Sequence, residues 1–473
     1  MGKLAEKGRF SKGSALEAAL RDATSTFSNL LGLLGEKSFD AQERAALDLS
    51  NEIVRRCLEA NLQARADSFG EHVMVTHADT KYWPNRLHKR HQPGEVTYFS
   101  LCGELRVRRY TYRESEMRNG RTVVPLDLTA GLMERMTPAL ARSVALGYAK
   151  GPLRGYREDM LAAHRAPPSR SSLERKAKKI GAAIVWQTQW WETRIQEQEV
   201  VPPDARQIVL GLDRTSVPMD ATAQRCGSQT ECEASVQWCM DYVGTVSFLD
   251  AVGTCLVSRR YHEPSTADPA RIVARMMVDV KGAREQHPSL RLGIVQDGAD
   301  ELWSALRAGL SELGATWTET LDYYHAVERL SQCLTILEPD EQARESLSKR
   351  WRTALLEHPR GAEDLVKWLA RRSTLLHAAR RTELSSHIAY YRKRLSQMRY
   401  SEQRAHHSHI GSGITEGACK SLVAARAKRS GQRWRRQGLD AVLMLRAVLQ
   451  SDRFNQAWHY ARALYNRPKV VAA

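Results

Sequence analysis

The chain has 473 residues, 42% of them hydrophobic, so it is long enough for two to four domains and apolar enough to fold. Its 71 Lys and Arg residues outnumber its 54 Asp and Glu residues, which gives a formal net charge of +17. This excess favours an anionic polymer as partner, although a basic, solvated surface would give the same count.

Two classes of protein do not fit this composition. No apolar run approaches the roughly 18–20 residues that cross a bilayer, and the N-terminal residues lack the apolar segment of a signal peptide. The eight cysteines are spread widely, which is typical of reduced thiols and not of a disulfide framework. We therefore expect a cytoplasmic protein with no membrane partner.

The first part of the chain predicts two regions of different character. Residues 1–69 carry apolar residues at helical spacing and predict an N-terminal helical region. Residues 70–125 are rich in β-branched, aromatic and basic residues, and apolar positions such as Leu105 and Val107 alternate with arginines. This second region is expected to be a small basic β-rich module.

Residues 126–201 predict a helical region with a candidate helix-turn-helix. A helix ending near Ala163 is followed by a turn and a second helix, for which Ser171 or Ser172 is the expected N-cap and Glu174 the capping-box partner. The second helix carries four basic residues that a helix-turn-helix would direct toward DNA: Arg175, Lys176, Lys178 and Lys179. The alternative is a basic helix that faces solvent.

After two consecutive prolines the pattern becomes that of an α/β domain, over residues 202–336. Two of its strand candidates, 207–213 and 290–297, end in Asp213 and Asp297. Side chains at strand ends converge in the crevice where α/β sheets bind ligands. An aspartate at a strand end also commonly caps the following turn, so neither acid alone indicates a site.

Residues 337–410 predict a helical region, whose helices end near residue 405 before a loop. Residues 411–473 begin with a strongly basic segment. Within 411–437, seven basic residues follow a single acid, Glu416, at the start of a predicted helix. Lys and Arg neutralise phosphates and carboxylate oxygens coordinate Mg²⁺, so this segment is typical of an enzyme that holds DNA near a metal ion. The alternative is a helix ion pair between Glu416 and Lys420.

The candidate metal ligands are Asp213, Asp297 and Glu416. Three converging carboxylates would repel one another unless cations neutralised them. Two Mg²⁺ ions roughly 3.5–4 Å apart, bridged by Asp213, would do so and would stabilise the attacking and leaving oxygens of a phosphoryl displacement. The order of two strand aspartates, a helical segment, a helix glutamate and a basic helix favours this interpretation over three unrelated caps.

Four stretches of the chain share their pattern with a known family. They are GLDRTSVPM around Asp213, VQDGADELW around Asp297, LDYYHAVERL, and GSGITEGACKSLVAARAKRSGQRW around Glu416. With the region upstream, they resemble bacterial insertion-sequence transposases of the DDE class, closest to the Kra-type group and akin to ISL3-type enzymes. The resemblance covers about residues 90–460, and its last motif is the most specific.

The resemblance implies an α/β catalytic core with a ribonuclease H-like mixed sheet, interrupted by an all-α insertion at 337–410. It implies that Asp213, Asp297 and Glu416 bind two Mg²⁺ ions, with Mn²⁺ as a substitute. Metal-activated water would cut the strand at the transposon end to leave a 3′-OH, and that hydroxyl would attack target DNA. A homo-oligomer is expected because two ends must be brought together, in the cytoplasm of a bacterium and on its nucleoid.

The resemblance also implies supporting and DNA-binding residues. In the element Asp322-x-x-His325, His325 would contact the scissile phosphate or hold the core strand and helix in register; N-capping by Asp322 is the alternative. The residues of the basic segment expected to bind DNA are Lys420, Arg426, Lys428, Arg429, Arg433, Trp434, Arg435 and Arg436. Trp434 would stack on a base, and burial against the following apolar helix is its alternative.

Two other functions fit the same residues. One is a DNA-binding protein of transposase ancestry that no longer cuts. The other is a ribonuclease H-like structure-specific nuclease, which would cut branched DNA without joining ends to a target. Metal-dependent cleavage separates the first from a transposase, and end joining separates the second.

Overall fold

The computed structural model describes residues 17–18, 21–22, 24–26, 28, 38–76, 85–115, 117, 119–220, 236–264, 266–465 and 469–472. They form a mixed α/β protein with two five-stranded sheets and many helices, in agreement with the α/β class expected from the sequence. The chain folds as two compact units, one of residues 1–187 with 455–473 and the other of residues 188–454.

The elements of the described residues are numbered in chain order. The strands are β1 (His72–Thr76), β2 (Arg86–Ser100), β3 (Gly103–Glu114), β4 (Thr122–Val123), β5 (Gln207–Asp220), β6 (Val236–Leu249), β7 (Cys255–Pro264), β8 (Arg291–Gln296), β9 (Thr318–Leu321) and β10 (Lys469–Ala472). The α-helices are α1 (Phe39–Asp67), α2 (Pro125–Thr129), α3 (Pro138–Lys150), α4 (Leu153–Ala162), α5 (Arg170–Trp186), α6 (Thr188–Gln198), α7 (Pro269–Gln286), α8 (Asp300–Glu312), α9 (Tyr323–Leu337), α10 (Glu341–Glu357), α11 (Gly361–Ser373), α12 (Ala378–Lys393), α13 (Tyr400–Ala405), α14 (Gly413–Ala418), α15 (Ala425–Ala427), α16 (Arg436–Gln450) and α17 (Phe454–Tyr465). A π-helix, Cys419–Ala424, joins α14 to α15.

The first unit combines α1 with an antiparallel sheet of order β10-β1-β2-β3-β4. The N-cap of helix α1 is Ser38, whose hydroxyl accepts a hydrogen bond from the Ala41 N–H. Leu62 of α1 lies in one apolar cluster with Leu105 and Val107, the alternate residues of β3. The expected alternation of buried and exposed residues along β3 is confirmed. Most residues before Ser38 lie outside the described residues.

Helix α5 begins earlier than the sequence predicted. Its N-cap is Ser169, whose hydroxyl accepts a hydrogen bond from the Ser172 N–H at 3.4 Å, so neither Ser171 nor Ser172 caps the helix. The expected capping-box glutamate, Glu174, instead pairs with Arg170 at 3.2 Å. Because Arg170 lies one turn before Glu174, the two side chains face each other on the same side of the helix.

The second unit is built on a sheet of order β7-β6-β5-β8-β9, in which β5, β6 and β7 are antiparallel and β8 and β9 run parallel to β5. Strand β5 continues past the expected end at Asp213 to Asp220, because β6 pairs with it over its whole length. Asp213 therefore lies in the middle of its strand, which corrects the expected position. Strand β8 ends at Gln296, so Asp297 follows directly, as expected.

Two apolar cores support the second unit. Helices α7 and α8 pack on the sheet through residues such as Ile272 and Leu306. Helices α9–α13 share a separate cluster that includes Leu330 and Leu384. In the described part of the chain, six cysteines are present as free thiols. Within the described residues, no helix has both the length and the apolar character that a bilayer crossing requires.

Candidate active site

The first two candidate acids lie on neighbouring strands at matching positions. Strands β5 and β8 pair in parallel up to Leu210 and Ile294, which fixes their offset at 84 residues (294 − 210 = 84). Asp213 and Asp297 have the same offset (297 − 213 = 84) and follow three residues beyond this last pair. The register therefore places the two acids at matching positions, where β8 ends and β5 continues toward Asp220.

Asp213 is partly buried, in surroundings that disfavour its ionised form. Burial raises the pKa of Asp213, and the negative charges of Asp297 and Glu416 raise it further. One carboxylate oxygen accepts a hydrogen bond from the Arg214 N–H (2.6 Å), and the other accepts one from the Cys419 thiol (3.4 Å); both bonds oppose the rise. Asp297 and Glu416 are thus near enough to Asp213 to repel its charge, and a bound cation would relieve that repulsion.

The loop that carries Asp297 is held by two helices. Its carboxylate accepts a hydrogen bond from the Ala299 N–H (3.0 Å), and its main-chain carbonyl accepts one from the Trp303 indole of α8 (2.7 Å). Arg394, directly after α12, donates to the Gly298 carbonyl at 2.6 Å. The position of Asp297 therefore depends on both α8 and α12.

Helix α14 brings Glu416 to the sheet, and the contact is made by the residue before it, Thr415. The Thr415 hydroxyl lies 2.8 Å from the Thr245 hydroxyl of β6. A Cβ at Gly211 of β5 would lie 2.0 Å from the Thr415 Oγ1, so a glycine is needed for this close approach. The Ser412 hydroxyl donates to the Glu416 carboxylate at 3.0 Å and orients it.

Asp322 joins the start of α9 to the segment that carries Glu416. It is the N-cap of α9, and one carboxylate oxygen accepts hydrogen bonds from the N–H groups of Tyr324 (2.6 Å) and His325 (3.0 Å). The other oxygen accepts one from the Ser412 N–H at 2.5 Å. Asp322 is fully buried, and its predicted role as an N-cap is confirmed. Its second carboxylate oxygen also holds Ser412, the residue whose hydroxyl donates to Glu416.

His325, in the first turn of α9, lies between two glutamates, Glu416 and Glu328. Its Nε2 is 3.7 Å from the Glu416 carboxylate, and its Nδ1 is 3.5 Å from Glu328. Asp322, His325 and Glu416 each offer a ligand atom within 4.8 Å of the other two, and no other group of three in the described part of the chain is so compact. This cluster is compatible with the use of a divalent metal.

The basic segment after Glu416 divides into exposed and buried residues. Its exposed residues are Lys420, Lys428, Arg429, Arg433 and Arg435. Arg426 and Trp434 are buried: the guanidinium carbon lies 4.7 Å from the indole ring centroid, and the indole N–H donates to the Ala427 carbonyl at 3.1 Å. The DNA contact expected for Arg426 and the base stacking expected for Trp434 are therefore corrected to packing roles.

Two further basic residues expected to bind DNA make contacts with other groups of the protein. Arg436 donates to Asp241 and to Asp440, each at 2.8 Å. Lys176, on α5 of the first unit, is buried and donates to the main-chain carbonyl of Glu134. Burial lowers the pKa of Lys176 to about 8. The DNA contact expected for Lys176 is therefore corrected, because that side chain is covered. Arg436 is paired with acids but its side chain is 32% exposed, and its contact with DNA stays a prediction.

Three residues that shape the site were not found by sequence reasoning. Gly211 and Thr415 set the approach of α14 to β5, and Cys419 donates a hydrogen bond to Asp213. Each lies within three residues of a candidate acid, which is the one signal the sequence offered. Their roles depend on which element faces them, and local patterns do not give that.

Comparisons with known proteins add little to this geometry. No protein-family model matches the chain, and no curated protein matches it. Among solved structures, it is similar to the Drosophila P element transposase strand transfer complex, with 11% sequence identity and a TM-score of 0.25 over 71% of this chain and 82% of that chain. A TM-score this low carries no inference about fold or function.

Proposed function

We propose that the chain is a DDE transposase, which cleaves DNA at transposon ends and transfers the cut strand to target DNA. The observation that carries the proposal is the matched offset of Asp213 and Asp297, together with the seating of the Glu416 helix on β5. Acids from two adjacent strands and one helix are thereby directed to one region of the same sheet, where β8 ends.

The proposed core is ribonuclease H-like. The mixed sheet β7-β6-β5-β8-β9 supports it, since its parallel half carries Asp213 and Asp297. Helices α10–α13 lie in the sequence between these strands and Glu416 and form their own apolar cluster with α9. We assign them to the all-α insertion of such a core.

Asp213, Asp297 and Glu416 are the residues that would hold two Mg²⁺ ions, with Mn²⁺ as a substitute. Their fit rests on charge, because the negative charges of Asp297 and Glu416 both raise the pKa of Asp213. Lys420 lies 3.6 Å from Glu416, with its side chain 79% exposed. Two ions held by three carboxylates would stabilise both the attacking and the leaving oxygen of a phosphoryl displacement. When bound, such ions activate an attacking oxygen and stabilise a leaving one.

The residues of the chain itself position these acids. Arg214 and Cys419 hold the Asp213 carboxylate, and Ser412 holds that of Glu416. His325, 3.7 Å from Glu416, stands where it can contact a phosphate bound at the acids. Preorganisation of this kind lowers the reorganisation cost of the reaction.

Each of the two units carries exposed cations that would bind DNA. In the second unit these are Lys420, Lys428, Arg429, Arg433 and Arg435. In the first unit, the α5 residues Arg175, Lys178 and Lys179 are exposed, and Lys179 pairs with Glu134 at 2.9 Å. We assign α4 and α5 to a helix-turn-helix that binds transposon ends, with target DNA as the second partner.

The remaining parts of the proposal concern origin and assembly. We place the chain in the Kra-type group of bacterial insertion-sequence enzymes, acting as a homo-oligomer on paired ends in the cytoplasm. DNA flanking the gene is the direct check of origin, because terminal inverted repeats with a short target duplication accompany an insertion sequence.

One experiment separates the proposed activity from its two rivals. The purified protein is incubated with Mg²⁺, a duplex carrying the DNA that flanks its gene, a target plasmid and a branched duplex. A transposase leaves a 3′-OH on the flanking duplex and joins it to the plasmid. A structure-specific nuclease cuts the branched duplex without joining, and a DNA-binding protein without catalysis does neither. Cleavage by an Asp213→Asn protein would contradict the proposed mechanism.

A further inference from the structure

A polar cavity opens beside the candidate acids on the side of the helical cluster. Its volume is ≈ 320 Å³, and its walls include Asp297, His325, Arg329, Gln332 and Tyr390. It therefore touches one candidate metal ligand directly and lies next to the histidine that faces Glu416. Helix α9 supplies a wall of mixed charge, with Glu328 beside Arg329, and α12 supplies Tyr390.

The cavity is built by fixed contacts. A Cβ at Gly298 would lie 2.5 Å from the Tyr390 hydroxyl, so the glycine lets the ring approach the loop after Asp297. Arg394 donates to the Gly298 carbonyl and to Asp300 (2.9 Å), which holds that loop against the end of α12. The opening is thus shaped by an ordered network.

Arg329 is the cation of this cavity that lacks an acidic partner. Its guanidinium carbon lies 3.7 Å from the Tyr390 ring centroid, and its Nη1 lies 3.3 Å from Nδ1 of His387. Within the described residues it forms no ion pair with a carboxylate, in contrast to Arg394. A partly buried guanidinium held in place by an aromatic ring is suited to bidentate binding of a phosphate.

The chemistry of the cavity favours a phosphodiester over a base. The Tyr390 ring has the guanidinium carbons of Arg329 and Arg394 at 3.7 and 4.1 Å from its centroid, so much of its surface is already covered. The volume lies at the low end of the roughly 300–1,000 Å³ of small-ligand sites, which suits the phosphate and sugar of one nucleotide.

The geometry points to Arg329 as the anchor of a second phosphate on the strand whose scissile phosphate lies at Asp213, Asp297 and Glu416. Gln332, on the same face of the cavity, offers an amide donor to the same nucleotide. This assignment rests on the proposed function, because it takes DNA as the ligand and the acids as the reacting site. Arg329 is a substrate-positioning residue in it, and it takes no proton in the reaction.

The test is a binding measurement that needs no cleavage. Fluorescein-labelled oligothymidylate is titrated with the full-length protein in CaCl₂ at several KCl concentrations, and affinity is read by fluorescence anisotropy. The variants are Arg329→Gln, Arg329→Lys and a control, Arg352→Gln, which changes an exposed arginine of α10 outside the cavity. Arg329→Gln should weaken binding about tenfold, since it loses a charge-assisted contact.

The salt dependence identifies the contact as a phosphate. Arg329→Gln should lower the slope of log affinity against log salt by about 0.7, the value for one phosphate of a single strand, and Arg329→Lys should restore that slope. Equal affinities and slopes for Arg329→Gln and Arg352→Gln would overturn the inference, and so would a failure of Arg329→Lys to restore the slope. Either result overturns only the role of Arg329, and the proposed function still holds if the wild-type protein cleaves and joins DNA. If binding depends on Arg329 but the wild-type protein cleaves no DNA, the proposed function fails and the phosphate contact of Arg329 still holds.

Discussion

Gly211 and Thr415 approach so closely that a Cβ on the glycine would lie 2.0 Å from the Thr415 Oγ1. This contact couples the strand that carries Asp213 to the helix that carries Glu416. Gly211 lies two residues before Asp213 and Thr415 one residue before Glu416, and the Thr415 side chain packs against the bare backbone of Gly211. The distance between β5 and α14 at this contact therefore helps to set the positions of Asp213 and Glu416.

Gly211→Ala should therefore separate the acids and reduce cleavage, because the methyl group must displace Thr415. We expect a loss of roughly 100-fold in cleavage rate, since misplacement by about 1 Å costs that much. The change is measured as single-turnover cleavage of end DNA. The control is Gly282→Ala on α7, where a Cβ meets nothing within 4 Å. Thr415→Ser, which keeps the hydroxyl, should not rescue Gly211→Ala, whereas Thr415→Gly should; rescue by Thr415→Ser alone would contradict this account.

Asp322→Ala should cost both stability and cleavage. It removes the N-cap of α9 and leaves the buried Ser412 N–H without its acceptor, which together cost about 2–4 kcal/mol. Asp340→Ala is the matched control, because Asp340 caps α10 through the Ala343 N–H and has no contact with the site. The unfolding temperature should fall in both variants, while cleavage should fall in Asp322→Ala only. Equal cleavage by the two variants would remove the positioning role of Asp322.

Trp434 and its exposed basic neighbours should respond differently to substitution. Trp434→Ala deletes a buried ring and should cost about 3–5 kcal/mol of stability. The double substitution Lys428→Gln, Arg429→Gln should leave the unfolding temperature unchanged and lower the salt slope of duplex binding by up to about 1.8. Thermal unfolding and anisotropy titrations measure the two effects. An unchanged unfolding temperature for Trp434→Ala would return Trp434 to the DNA surface.

The pairing of Glu319 with Arg307 should give the second unit an acid-dependent stability. Burial raises the pKa of Glu319, but hydrogen bonds from Arg307, Gln397 and Trp317 outweigh it and bring the pKa to about 2, from an ordinary value of 4.5. A lowered pKa in the folded state means that the contribution is complete above pH 4.5 and is lost as the pH falls from 4.5 to 2.

Glu319→Gln should therefore lower the unfolding temperature at pH 7, and its difference from the wild type should disappear near pH 2. The contribution lost is about 1–3 kcal/mol, as for hydrogen bonds to a charged group. The same substitution in an Arg307→Met background should have a smaller effect at pH 7, because Arg307 supplies two of the hydrogen bonds. A difference that persists unchanged to pH 2 would contradict the pairing.

Local patterns predicted much of the secondary structure but little of what surrounds it. The alternation of Leu105 and Val107 identified β3, and the apolar run before Asp297 identified β8. Strand β5 was cut short at Asp213 because its second half is held by β6, which local sequence does not show. Strand β10 pairs with β1 across nearly 400 residues of sequence, as in Val73 with Ala472. Local sequence patterns do not predict a pairing between such distant segments.

Charge in the sequence proved a poorer guide to position than apolar spacing. Lys176 and Arg426 were grouped with their exposed neighbours, yet both are buried, one on a carbonyl and the other on an indole ring. A long basic side chain can cover an apolar surface as readily as it can bind phosphate. The candidate acids were found by type and order, whereas their neighbours Thr415 and Cys419 required the fold.

The most direct test compares cleavage and affinity on the same end DNA for Asp213→Asn, Asp297→Asn and Glu416→Gln. If these acids form one metal-dependent site, each variant should lose cleavage in Mg²⁺ by roughly a thousandfold or more while its dissociation constant changes little. The double substitution Lys428→Gln, Arg429→Gln should show the reverse, with weaker binding and cleavage that recovers at saturating protein. Full cleavage by the Glu416→Gln protein would contradict the account and leave this segment as a DNA-binding helix.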